Sequence, residues 1–115
     1  MPDKKKGLHI EENSIIFSVS DPTGVDVKLY KEQLKHIKQN HPEIKPVGKI
    51  RSGIQNPDFI LLNKERNARI YSTLSKTDLC FNVFTGIISD TECLIRTSYI
   101  STLPKGDCIW RRQKK

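Results

Sequence analysis

Two histidines, His36 and His41, lie five residues apart in the run His36-Ile37-Lys38-Gln39-Asn40-His41-Pro42-Glu43. Imidazole is the one side chain whose ordinary pKa lies near neutrality, so either ring can take up or give back a proton there. In a strongly basic chain the substrate such a pair would meet is a polyanion, and the chemistry is acid–base catalysis on a phosphodiester. Transesterification of RNA needs a base for the 2′-hydroxyl, an acid for the departing 5′-oxygen, and a cation or hydrogen-bond donor for the phosphorane. It needs no metal or other cofactor, because the nucleophile belongs to the substrate.

The basic character is uneven. The net charge is +7 over 115 residues, with a pI near 9.5, which favours a nucleic-acid or other anionic partner. Residues 28–51 carry seven Lys or Arg against Glu32 and Glu43, and residues 96–115 carry six against Asp107. The remainder is net acidic. Two separated basic blocks around such a middle could fold into one phosphate-binding surface; a solvated face and a basic tail over 111–115 is the plainer alternative.

The length fits one domain with a modest core. No apolar run approaches the ~18 residues of a membrane span, and the charged start Met1-Pro2-Asp3-Lys4-Lys5-Lys6 is unlike a signal peptide. The chain thus reads as cytosolic, or as exported without a cleaved leader. Cys80, Cys93 and Cys108 are odd in number with no C-x-x-C spacing. Cys80 and Cys93, in apolar strand-like stretches, read as reduced core cysteines, and no disulfide framework or zinc site is indicated.

Several elements must position these residues. Residues 1–12 read as a flexible polar lead-in, and 13–110 as the single domain. Ser14 to Ser20 is a strand candidate, Asp21-Pro22-Thr23-Gly24 a turn, and Val25-Asp26-Val27 the return of a short hairpin. From Leu29 to about Asn40 the period becomes helical, with Tyr30, Leu34, Ile37 and His41 on one stripe and Pro42 as the stop. A second short helix carries Val47, Ile50 and Ile54 and ends near Asn56-Pro57-Asp58, which reads as a structural turn. Four strands follow, over 59–62, 68–74, 79–85 and 92–101. The fold class is α+β: an N-terminal hairpin and two helices packed on one face of a four-stranded antiparallel meander, with the other face open to a ligand.

On this plan His36 lies off the apolar stripe, on the flank with Gln33 and Asn40, where it could reach a phosphate. His41 lies on the stripe at the helix C-terminus, open between a capping role and an active-site role. Glu43 reads more naturally as an ion-pair partner than as a base. Alternation along the last of the four strands puts Thr97 and Tyr99 on one face with Cys93 and Ile95, and Arg96 and Ser98 on the other. Arg69 shares a face of its own strand with Tyr71 and is a candidate for stabilising the phosphorane; Arg96 competes for that role, and strand register decides between them. Lys38, Lys105 and Trp110 are candidates for backbone binding and base stacking, although a tryptophan covering a sheet edge would look the same.

The order and spacing of His36-Ile37 with His41-Pro42-Glu43-Ile44, Asn56-Pro57-Asp58, Arg69-Ile70-Tyr71 and Arg96-Thr97-Ser98-Tyr99 resemble the phage-type branch of the barnase/EndoU/colicin/RelE-like (BECR) nucleases, from about Val25 to Trp110. His-x(4)-His-Pro-Glu is the most specific of these motifs. Arg-Thr-Ser-Tyr departs mildly from the Thr-Ala-aromatic typical of that family. The resemblance implies a metal-independent ribonuclease of toxin or phage-effector type that leaves a 2′,3′-cyclic phosphate. The substrate would be RNA, single-stranded or tRNA-like, and a cognate immunity protein or antitoxin is an implied partner. The catalytic candidates are then His36, His41, Arg69, Thr97 and Tyr99; the substrate-binding candidates are Arg96, Lys105, Trp110 and Lys38.

Two other function classes remain beside it. A non-catalytic RNA- or DNA-binding protein would use the same basic surface, with affinity that falls steeply with salt. A protein-interaction module would carry its charge for an acidic partner and bind no nucleic acid at physiological salt.

Overall fold

The computed structural model describes residues 14–44, 46–75 and 78–113. The expected lead-in over 1–12 and the last two residues of the tail lie outside those residues. The chain runs β1 (Ile15–Ser20), β2 (Asp26–Tyr30), α1 (Lys31–Asn40), α2 (Val47–Gln55), β3 (Phe59–Asn63), β4 (Ala68–Leu74), β5 (Cys80–Ser89), β6 (Glu92–Ser101) and β7 (Asp107–Arg111).

All seven strands join one sheet in the order β1-β2-β6-β5-β4-β3-β7. The expectation of a four-stranded meander is corrected: β3 to β6 do form an antiparallel meander, but it is the middle of a larger mixed sheet. The N-terminal hairpin does not lie on a face. It extends the sheet, because β2 pairs with β6 in parallel, Asp26-Val27-Lys28 against Glu92-Cys93-Leu94. The Asp26 amide donates to the Thr91 carbonyl at 2.9 Å, and the Lys28 ammonium pairs with the Glu92 carboxylate, 64 positions away in sequence. Local periodicity carries no trace of so distant a partner. At the far edge, Cys108 and Trp110 of β7 align with Leu61 and Ile60 of β3. β5 also runs on past its expected end to Ser89, leaving only Asp90 and Thr91 in the turn.

The first helix begins two residues later than its period predicts: Leu29 and Tyr30 close β2 instead, because pairing with Phe17 and Ile15 of β1 takes them into the hairpin. Ile37 of α1 and Ile50 and Ile54 of α2 are buried in one cluster with Phe17, Val27, Leu29, Tyr71, Phe81, Val83, Cys93 and Ile95 of the sheet. α2 lies close on β5 at Gly53, where a β-carbon would stand 3.2 Å from Phe81 Cε2 and 3.3 Å from Val83 Cγ2. Even a β-carbon there would require the Phe81 and Val83 side chains to give by a few tenths of an ångström. Among the described residues no helix is long and apolar enough to cross a membrane.

Candidate nucleic-acid interface

Register decides which candidate residues can meet. Arg69 stands opposite Thr85, and Thr85 opposite Ile95, so all three belong to the helix-covered face. In β6 the pairing slips: Ile95 aligns with Thr85, but Thr97 aligns with Phe84, leaving Arg96 as the extra residue of a β-bulge. A bulge resets the parity of everything after it. Ser98 therefore aligns with Val83 and is fully buried, its hydroxyl donating to the Asn82 carbonyl at 2.7 Å. Thr97 and Tyr99 stand on the opposite face, away from Cys93 and Ile95.

The expected alternation of β6 is thus corrected: the bulge brings Thr97 and Tyr99 onto the face opposite Cys93 and Ile95, the side already expected for Arg96. Its guanidinium lies across Gly86, where a β-carbon would come within 2.6 Å of Nε and 3.1 Å of Nη2. Gly86 shares the parity of Phe84, so Arg96, Thr97, Tyr99 and Phe84 are on one face. Only glycine leaves room for the side chain to lie there.

Two further groups join this face. The Arg66 guanidinium, from the β3–β4 turn, stands 5.2 Å from the Phe84 ring centroid. The pairing of β2 with β6 ends at Leu94, so the C-terminal half of β6 has a strand on its β5 side only, and His41 caps α1 with its amide donating to the Ile37 carbonyl at 2.8 Å. The His41 ring centroid is 6.1 Å from that of Tyr99, and its Nδ1 is 3.5 Å from Glu43 Oε2. A carboxylate on Nδ1 orients the ring and leaves Nε2 for another group. Burial raises the Tyr99 phenol above its ordinary pKa, and nearby Arg66 partly offsets this, so Tyr99 stays protonated and able to donate at neutral pH.

Arg69 occupies a different setting. Its Nη2 lies 2.9 Å from Asp21 Oδ2 and 3.0 Å from Thr23 Oγ1, and its Nε donates to the Tyr71 hydroxyl at 3.2 Å. Tyr71 in turn donates to Asp21 Oδ2 at 2.6 Å. The amides of Thr23 and Val25 and the Thr23 hydroxyl all donate to Asp21 Oδ1. Burial alone would push the Asp21 carboxyl up, but these hydrogen bonds, led by those from Tyr71 and Thr23, more than reverse it and hold it below 3.8. The same burial, together with the Asp21 bond, pushes the Tyr71 phenol far above its ordinary range. This network pins the β1–β2 turn to β4 and engages Arg69 Nε and Nη2 with Tyr71, Asp21 and Thr23.

The other candidates are dispersed. His36 projects from α1 with a 55% exposed side chain, Nε2 being 3.9 Å from Glu32 Oε1. By the 3.6-residue period it points about 140° around the helix from His41, so the two rings cannot share one phosphate across the helix. Lys38 is exposed on the same helix. Lys105 precedes β7, where its carbonyl accepts from Asn63 Nδ2 at 3.5 Å. Trp110, aligned with Ile60, packs on the buried cluster of the helix side, the edge-covering alternative for that residue.

His41, Arg96, Thr97 and Tyr99 are therefore brought to one region, while Arg69, His36, Lys38, Lys105 and Trp110 are elsewhere. Phe84 and Arg66 are the additions. Phe84 was readable from parity, since Phe81 and Val83 facing the core sends Phe84 to the other side; Arg66, in a polar turn, carried no such signal. Among the described residues no group of three or more His, Cys, Asp or Glu could hold a metal ion. No family model, curated protein or solved structure matches the chain.

Proposed function

We propose that the chain is a metal-independent endoribonuclease of the BECR type, acting on RNA laid across the face that carries Arg96, Thr97 and Tyr99. The observation that supports this best is the bulge at Arg96, which puts a guanidinium on the same face as two hydroxyl donors, with His41 beside Tyr99 at its edge. In this reading His41, oriented by Glu43, moves the proton between the 2′-hydroxyl and the leaving 5′-oxygen. Arg96 neutralises the phosphorane, and the hydroxyls of Thr97 and Tyr99 donate to its oxygens. Arg69 takes no part in the chemistry, being engaged by Asp21 on the other side of the sheet.

Purified protein incubated with RNA in EDTA tests the proposal. Fragments ending in 2′,3′-cyclic phosphate are expected, and intact RNA would refute it.

A second reading, binding without cleavage, is favoured by one observation: His41 is the single imidazole among the described residues at this face. One ring must then serve as both base and acid, or share the work with Tyr99. In the binding reading the RNA is retained on the same surface and recovered unchanged.

A further inference from the structure

The face that carries Arg96 also carries two aromatic rings, Phe84 and Tyr99, whose π-faces the proposed chemistry leaves unused. Phe84 on β5 is directly opposite Thr97, and Tyr99 is two residues further along β6. Phe84 and Tyr99 are therefore diagonal neighbours on adjacent antiparallel strands, about 7–8 Å apart at that position. Both are half-buried, so each keeps part of its ring open to solvent. The cations flank them. Arg96 lies over Gly86, the next residue of Phe84's parity, and Arg66 stands over the Phe84 ring itself.

We infer that Phe84 and Tyr99 are two successive base-stacking positions, that Arg66 closes over the first, and that the ligand of this face is an unpaired strand. The inference rests on the reading of this face as a nucleic-acid surface and adds the class of strand it takes. Neighbouring bases of a single strand can each lie on a ring, because every base presents a π-face whatever its identity. A guanidinium held over an aromatic ring, as Arg66 is over Phe84, can also stack on a base, so Arg66 can cover a base there or swing to a phosphate. In a duplex the bases are already stacked inside the helix, and reaching the rings would require unstacking them. Sequence preference should be weak, since described groups on this face offer stacking and charge rather than a set of base-edge hydrogen bonds.

The test uses the full chain and short fluorescent 2′-deoxy oligonucleotides, which have no 2′-hydroxyl and cannot be cut by the proposed route. Fluorescence anisotropy should show the single strand binding more than about tenfold tighter than the blunt duplex of the same sequence. Phe84→Leu, which keeps an apolar strand residue, should weaken single-strand binding roughly 5- to 100-fold while leaving duplex binding unchanged. Arg66→Ala, at an exposed turn where folding is not at stake, should weaken it roughly 2- to 30-fold. Equal affinity for both forms, or single-strand binding untouched by Phe84→Leu and Arg66→Ala, would overturn the inference. Because the probe is uncleavable, the two claims fail separately: cleavage of RNA with no effect of these variants on the deoxy strand removes the stacking sites alone. Stacking-dependent binding with intact RNA removes the nuclease alone.

Discussion

Arg96 lies so close over Gly86 that a β-carbon at 86 would stand 2.6 Å from its Nε. The β-bulge gives β6 one residue more than β5 can pair, and it brings Thr97 and Tyr99 onto the face that Arg96 already occupies. Arg69 faces the helices, held by Asp21; Arg96 faces away from them.

Gly86→Ala should therefore act on Arg96 before anything else. The neighbour that must move is a flexible side chain, so stability measured by urea unfolding should change by less than about 1 kcal/mol. RNA affinity should fall, and Arg96→Ala should fall with it. If Arg96 contacts one phosphate, its loss should reduce the slope of log affinity against log salt by about 0.7 for a single strand. An unchanged slope would remove Arg96 from the contact surface.

The two histidines should separate cleanly. His41→Ala should reduce cleavage by roughly 10²- to 10⁴-fold if its ring transfers the proton, whereas His36→Ala should cleave like the parent protein. Single-turnover rates on one labelled RNA make the comparison. The reverse ranking would place the chemistry on the exposed face of α1.

The Asp21 network makes a prediction about stability rather than activity. Asp21→Ala leaves Arg69 without its carboxylate partner and should cost about 3 kcal/mol or more in urea unfolding at pH 7. The pH dependence has a definite sign. The folded carboxyl is held below its ordinary value of 3.8, so its contribution is full above that value and is lost as pH falls through the lower folded one. The stability difference between parent and Asp21→Asn should thus be constant from neutral pH down to about pH 5 and shrink below pH 4. A difference that grew in acid would contradict the network.

Much of the local structure was legible in the sequence. Leu34 and Ile37 mark the first helix, which stops just before Pro42, and Ile50 and Ile54 mark the second, but Leu29 and Tyr30, helical by the same period, belong to β2. The four central strands were visible because their apolar runs and polar turns are local signals. The sheet's full extent was not, because the parallel pairing of Val27 with Cys93 depends on a contact between distant segments. β7 was missed because Cys108-Ile109-Trp110 is short, lies between charged residues, and becomes a strand only against Ile60 and Leu61. The site was half legible. Residue types at 41, 96, 97 and 99 are apparent, but strict alternation puts Thr97 and Tyr99 on the wrong side, since nothing in Ile95-Arg96-Thr97 announces a bulge. Arg69 was chosen for its charge, and its partner Asp21 lay in a turn read only for its backbone.

The most direct measurement is cleavage of one end-labelled RNA in EDTA by the parent protein, His41→Ala and Arg96→Ala, with the product ends identified. The account predicts 2′,3′-cyclic phosphate ends from the parent and strongly reduced product from both variants. Intact RNA with the parent, or equal cleavage by all three proteins, would contradict it.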